Sequence, residues 1–330
     1  MDQLREKVLY IDAFNIFFSA YYFRKDSDAE TADPIGGFIG LIDQTQRLAY
    51  QFRPQRIVLV FDGPDAGKRR RALFPDYKGK HPSKERFTDV IYFDEKIASI
   101  NNQTDQLRRA YDFLKHTPIT TLIVPYYEAD DVIAYLVKKN QDKYNVICSS
   151  DKDYLQLVNE YTHVWSPQKR ILYDPLKLVE HWEVSPGNLI YYRSIIGDSS
   201  DKLVGVKGIG KKTLLEKLPQ IKESNVYEDF WQFWAEVEKI DDGKILSEKF
   251  KAAKEQAHLM YRLMKLDEES LNQRAIEVLQ AQLEEQNRKT FSKIQLKLYC
   301  IKEKLNNFIK NYDIWVRPFM SINSTIEIKS

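Results

Sequence analysis

The chain has 330 residues, 43% of them hydrophobic and 13% aromatic, which is enough to bury one large core or two modest ones. Its formal net charge of +2 excludes no class of partner, so local charge has to decide. Two cysteines, Cys148 and Cys300, lie too far apart in sequence to suggest a disulfide framework and fit a reducing compartment.

In chain order, the apolar run Val8 to Phe23 follows Arg5 and Lys7 in the manner of a signal peptide. Asp12 and Asn15 interrupt it, and no small-residue cleavage site follows, so it reads as a buried strand running into a helix. No stretch reaches the roughly 18 uninterrupted apolar residues of a membrane span, so a soluble, cytoplasmic protein is expected. Three more short apolar runs follow: "RIVLVFDG" (Arg56 to Gly63), "TTLIVP" (Thr120 to Pro125) and "YNVICSSDKD" (Tyr144 to Asp153). Nearly continuous runs suit strands buried on both faces, as in a parallel sheet. Helical stretches lie between them at Phe38 to Gln51, Asp94 to Leu114 and Asp130 to Lys139. This alternation predicts an α/β fold with a central, mostly parallel sheet and flanking helices.

After about residue 175 strand character fades. "YEDFWQFWAEVEKI" (Tyr227 to Ile240) spaces Phe230, Trp234 and Val237 as the buried face of a core helix. The C-terminal part is expected to form a helical layer on the α/β core.

Acidic residues recur where elements end. Asp12, Asp62, and the pair Asp151 and Asp153 close strand-like runs, and "VPYYEADDVIAYLV" puts Glu128, Asp130 and Asp131 just after another. Asp198 and Asp201 follow in "IIGDSSDKL". In open α/β sheets the carboxyl ends of the strands form the ligand crevice, so these nine carboxylates are expected to converge on one rim. Any one of them could merely cap a helix, but the conjunction favours metal ions. Oxygen donors with few His or Cys nearby favour Mg²⁺ or Mn²⁺ over zinc, in a pair about 4 Å apart that would serve phosphodiester hydrolysis.

"DAGKRRRALFPDYKGKHPSKER" (Asp65 to Arg86) carries eight basic residues against three acidic ones, with Phe74 and Tyr77 interleaved. Basic side chains attract phosphates and aromatic faces stack on unpaired bases. "GVKGIGKKT" (Gly205 to Thr213) resembles a helix–hairpin–helix, in which backbone N–H groups and Lys207, Lys211 and Lys212 would grip one phosphate backbone without reading sequence.

"YIDAFN", "FDG", "YKGKH", "YEADD", "SSDKDY", "GDSSD" and "GVKGIGKKT", in this order over residues 8 to 215, resemble the 5′-nuclease family of flap endonucleases and 5′–3′ exonucleases. "VWSPQKR" (Val164 to Arg170) is similar to its stand-alone phage branch, which includes the ribonuclease H of T-even phages. The resemblance implies a PIN-like α/β core over 1–185, including a helical arch at about 64–115, and a helix–hairpin–helix with further helices over 186–330. It assigns a first metal to Asp12, Asp62, Glu128 and Asp130, and a second to Asp131, Asp151, Asp153, Asp198 and Asp201. Catalysis would rest on Asp12, Asp62, Asp130, Asp153 and Lys78, the last contacting the scissile phosphate. Nucleic acid would be held by Arg69, Arg70, Arg71, Tyr77, Lys78, Lys80, His81, Lys84, Lys207, Gly208, Gly210, Lys211 and Lys212. A K⁺ ion would sit on the carbonyls of Gly205, Val206 and Ile209. His81 departs from the family, which often has Arg there, and no clamp-binding motif is evident at the C-terminus.

The expected substrates are DNA with a free 5′ end or flap and RNA–DNA hybrids, cut by a monomer with two Mg²⁺ or Mn²⁺ ions. A replication partner such as a single-strand-binding protein or clamp is also expected. Two other readings compete: a catalytically inactive, structure-selective DNA-binding relative, and a PIN-like ribonuclease lacking the hairpin and arch.

Overall fold

The computed structural model describes residues 5–27, 34–78, 84, 87–88, 91, 101–198, 203–223, 227–240 and 244–322. The chain divides into two compact units. Unit one comprises residues 1–66, 80–149 and 268–330, and unit two residues 67–79 and 150–267. This division differs from the expected one at 185, because the last third of the chain contributes to both units.

Strand β1 (Lys7–Asp12) leads into α1 (Ala13–Phe23), α2 (Gly36–Phe52) and β2 (Arg56–Asp62). Next come α3 (Lys68–Leu73), α4 (Asn102–Leu114), β3 (Thr120–Val124), α5 (Ala129–Lys139) and β4 (Tyr144–Cys148). The hairpin β5 (Thr162–Ser166) and β6 (Ile171–Tyr173) precedes α6 (Pro175–Trp182) and α7 (Leu189–Ile196). Two-residue strands β7 (Gly197–Asp198) and β8 (Leu203–Val204) lead to α8 (Lys211–Lys217), α9 (Phe230–Glu238) and α10 (Lys244–Met264). Helices α11 (Gln273–Asn287) and α12 (Lys293–Lys302) follow. The part of the expected helix before residue 101 lies outside the described residues. Among the described residues no helix is long and apolar enough to cross a membrane.

In unit one, β1 pairs in parallel with β2 and β4, and β2 in parallel with β3. Leu9, Ile11, Val58, Val60, Leu122 and Val146 are fully buried, as continuous apolar runs require in a sheet covered on both faces. Parallel pairing points every carboxyl end the same way, so Asp12 and Asp62 leave the sheet at one edge. Two glutamine side chains satisfy backbone groups of this unit. The Gln106 side chain of α4 accepts from the Gly37 and Phe38 amides at 2.8 and 3.1 Å, capping the start of α2. Helix α11 returns from the C-terminal third and covers β3, where Gln282 accepts from the Ile123 amide at 3.0 Å and donates to its carbonyl at 2.5 Å. This clasp blunts an open sheet edge. Both cysteines are buried, and burial pushes the Cys300 thiol up to about 12.

Unit two has an aromatic core. Tyr191 of α7 stacks on Tyr261 of α10 at 5.6 Å and on Phe233 of α9 at 5.1 Å. Phe230, Trp234 and Val237 are buried as their helical spacing predicts.

Replacing Gln282 by Ala should leave the Ile123 amide and carbonyl without these partners and cost about 1–3 kcal/mol. Urea denaturation checks this, and an unchanged midpoint would refute the role given to α11.

Candidate active site

Eight of the nine expected metal-binding carboxylates fall among the described residues, whereas Asp201 lies outside them. Five belong to unit one: Asp12, Asp62, Glu128, Asp130 and Asp131. Asp12 ends β1 and caps α1, its Oδ1 accepting from the Asn15 amide at 3.1 Å and its Oδ2 from Ser149 Oγ at 3.2 Å. Asp62 ends β2, and its Oδ1 accepts from the Ala129 amide, at the start of α5, at 2.9 Å. Its Oδ2 accepts from Lys84 Nζ at 2.8 Å, and this ammonium also lies 4.6 Å above the Phe14 ring. Gly63 lets the turn after Asp62 approach the turn before Glu128. Its amide donates to the Tyr127 carbonyl at 2.9 Å, and a Cβ on Gly63 would lie 1.8 Å from the Val124 carbonyl oxygen.

Glu128 is the N-cap residue of α5, and Asp130 and Asp131 occupy its first turn, where the helix dipole favours negative charge. One ligand oxygen from each of the three lies within 4.8 Å of the others. Asp130 and Asp131 are buried. Asp131, which the resemblance assigns to the second ion, has an oxygen within this distance of Glu128 and Asp130. Glu128 is half-buried, like charges this close repel one another, and an all-oxygen donor set fits a hard divalent ion.

Unit two holds Asp151, Asp153 and Asp198. Asp151 caps the 3₁₀ turn Lys152–Leu157 by accepting from the Asp153 amide at 2.9 Å. Asp153 and Asp198 are both bonded to Arg193, one through each terminal nitrogen of the guanidinium, and all three side chains are buried. Burial opposes the charge on Arg193, but Asp153 and then Asp198 outweigh it and hold the guanidinium above its ordinary value.

The basic segment divides by exposure. Lys68 and Arg69 are exposed, and Arg71 and Lys78 are half-buried. Arg70 and Tyr77 are buried, which corrects their expected place on a nucleic-acid surface. Arg70 instead donates through Nε to the Leu263 carbonyl at 3.0 Å, capping the end of α10, and its guanidinium lies 5.9 Å from the Tyr77 ring centre. Next to them, Lys78 has φ 28°, a left-handed backbone uncommon for a residue with a side chain. Lys80 and His81 lie outside the described residues.

The hairpin from Gly205 to Gly210 joins β8 to α8, with the Val206 amide donating to the Ile195 carbonyl at 2.7 Å and the Ile209 amide to the Val206 carbonyl at 3.0 Å. Gly208 has φ 79°, where glycine alone is unstrained. Val206 and Ile209 point inward and are buried, while Lys207, Gly208, Gly210 and Lys212 are exposed. Lys211 pairs with Glu183 at 2.9 Å.

The family profile described as the 5′–3′ exonuclease N-terminal resolvase-like domain matches residues 7–183. The chain belongs to the 5′–3′ exonuclease family. A 5′–3′ exonuclease of Aquifex aeolicus is 30% identical over 263 residues, covering 79% of this chain and 82% of its own. Among solved structures, the 5′-exonuclease of phage T5 with bound divalent zinc ions matches with TM-score 0.65 at 19% identity, covering 84% of this chain and 99% of its own. The catalytic core of Rad2 in complex with DNA substrate matches with TM-score 0.52 at 17% identity, covering 96% and 94%. At these identities the structures establish the shared fold alone.

In this member of the 5′–3′ exonuclease family, Arg193 and Ser149 escaped the sequence reading. Arg193 had a signal: it is the lone cation of the apolar run "LIYYRSII", five residues ahead of Asp198. Ser149 opens the motif "SSDKDY", but its contact with Asp12 spans 137 positions and has no local signal.

Replacing Gly63 by Ala should drive a methyl group into the Val124 carbonyl and cost more than about 2 kcal/mol. Thermal unfolding measures this, and a wild-type midpoint would mean that the two turns are not held together there.

Proposed function

We propose that this chain is a Mg²⁺- or Mn²⁺-dependent nuclease that hydrolyses phosphodiesters at 5′ ends and 5′ flaps of DNA, RNA–DNA hybrids included. The cluster of Glu128, Asp130 and Asp131 carries this reading, since it concentrates negative charge from hard oxygen donors on the first turn of a helix. Membership of the 5′–3′ exonuclease family supports it. In the proposal Asp12, Asp62, Glu128, Asp130 and Asp131 hold one ion, and Asp151, Asp153, Asp198 and Asp201 hold a second. When bound, such ions lower the pKa of water and stabilise charge on the leaving oxygen.

The chain's own residues do the rest. Asp12 and Asp62 are oriented by the Ser149 hydroxyl and by backbone amides, so their oxygens are aimed before an ion arrives. The Lys78 ammonium donates to the scissile phosphate and offsets charge as it builds in the transition state. Arg69, Arg71, Lys80, His81 and Lys84 attract the phosphate backbone. Lys84 would exchange Asp62 for a phosphate once an ion shares that carboxylate. The hairpin grips one strand through its exposed amides and Lys207 and Lys212, with K⁺ on the carbonyls of Gly205, Val206 and Ile209. The chain acts as a monomer, in the cytoplasm, with a single-strand-binding protein or clamp as a replication partner.

A labelled 5′-flap substrate tests this. Cleavage should need Mg²⁺ or Mn²⁺ and stop with chelator. Asp153→Ala should abolish cleavage while leaving flap binding within about tenfold, because phosphate contacts dominate affinity. Lys78→Ala should slow the chemical step by about 10²-fold, the scale of one lost donor to a developing oxyanion. Normal turnover by Asp153→Ala would remove that carboxylate from the mechanism, and chelator-resistant cleavage would remove the metals.

A further inference from the structure

Unit two buries a cation that phosphate recognition does not explain. Arg193 projects from α7, a helix otherwise made of Leu, Ile, Tyr and Ser, and its side chain is 4% exposed. Its fork divides between two carboxylates, one terminal nitrogen on Asp153 and the other on Asp198. The Asp153 and Asp198 side chains are 3% and 4% exposed. A guanidinium frequently takes one carboxylate bidentately. This one spans two that reach it from different elements, Asp153 from the 3₁₀ turn and Asp198 from β7.

One guanidinium supplies a single positive charge against Asp153 and Asp198, and Asp151 adds to the negative field it sits in. The oxygens that would ligate a divalent cation at Asp153 and Asp198 are the ones Arg193 occupies.

We propose that Arg193 is a resident counter-ion of the second ion site, so that capture of a divalent cation by Asp153 and Asp198 exchanges against its guanidinium. This rests on the assignment of Asp153 and Asp198 as ion ligands. Arg193 is thereby a positioning residue. It keeps two buried carboxylates from repelling one another before the ion arrives, and it weakens ion binding by having to be released. Removing it therefore has opposite effects on two quantities: the ion-free protein loses stability, and the site gains affinity for the ion. A residue that merely packs, or that holds ligands in their final geometry, would not raise ion affinity when removed.

Calorimetric titration with Ca²⁺, without DNA, tests this on the full chain. Asp130→Ala is present in every arm so that the unit-one cluster does not obscure the signal. Against that background Arg193→Gln should bind Ca²⁺ at least about tenfold more tightly, because a positive charge in contact with the ligands is gone. Arg193→Lys, which keeps the charge but cannot fork, should fall between. Ca²⁺ should also raise the melting temperature of Arg193→Gln more than that of its parent. Equal or weaker Ca²⁺ binding by Arg193→Gln overturns the exchange while leaving the ion assignment intact. No binding with either residue overturns both. If Arg193→Gln fails to fold, ¹⁵N-arginine NMR of the unsubstituted chain decides. Saturating Ca²⁺ should shift the Arg193 side-chain resonances and free rotation of its guanidinium. Unmoved resonances at saturation refute the proposal.

Discussion

Negative charge held at the ends of buried elements is the constraint around which this protein is built. Asp12 and Asp62 terminate neighbouring parallel strands whose side chains are mostly apolar, and Asp130 and Asp131 are buried on the first turn of a helix. Carboxylates in such places are costly unless each oxygen has a donor or a cation. The structure provides both. Backbone amides of α1 and α5 and the Ser149 hydroxyl serve Asp12 and Asp62, and Lys84 pairs with Asp62. Arg193 does the same for Asp153 and Asp198 in unit two. Gly63 belongs to this scheme, since only a residue without a side chain lets the turns carrying Asp62 and Glu128 approach so closely.

Sheet direction explains why the unit-one acids share an edge. The four strands β1 to β4 run parallel to one another, so the residue after each of their apolar runs leaves at the same side. A continuous apolar strand followed by an acid is therefore both a folding signal and a chemical one. The hairpin of unit two works by different physics: Val206 and Ile209 anchor it inward and leave backbone amides and lysines outward. The proposed grip on a phosphate backbone would depend on shape and charge and be indifferent to base sequence.

What could be read in the sequence was what is local. The four parallel strands were legible because burial on both faces leaves uninterrupted apolar runs, and α9 because Phe230, Trp234 and Val237 repeat at helical spacing. Strands β5 and β6 were not expected, since Thr162, Val164 and Ser166 alternate inward with polar and apolar types mixed. A helical layer on the α/β core was expected from the C-terminal part, but no local signal marked α11 as the helix that returns to β3, a contact Gln282 makes across 159 positions. Arg70 and Tyr77 read as nucleic-acid contacts because a basic run looks solvent-facing, yet Arg70 caps a carbonyl of α10 that is 193 positions away. Pairings of this range leave no trace in a window of neighbouring residues.

The most direct test of this account is anomalous diffraction from crystals of the protein soaked in Mn²⁺. The account predicts two manganese peaks, one within ligand distance of the Glu128 and Asp130 carboxylates and one within ligand distance of Asp153 and Asp198. Crystals that diffract well but show no peak at either group would contradict it.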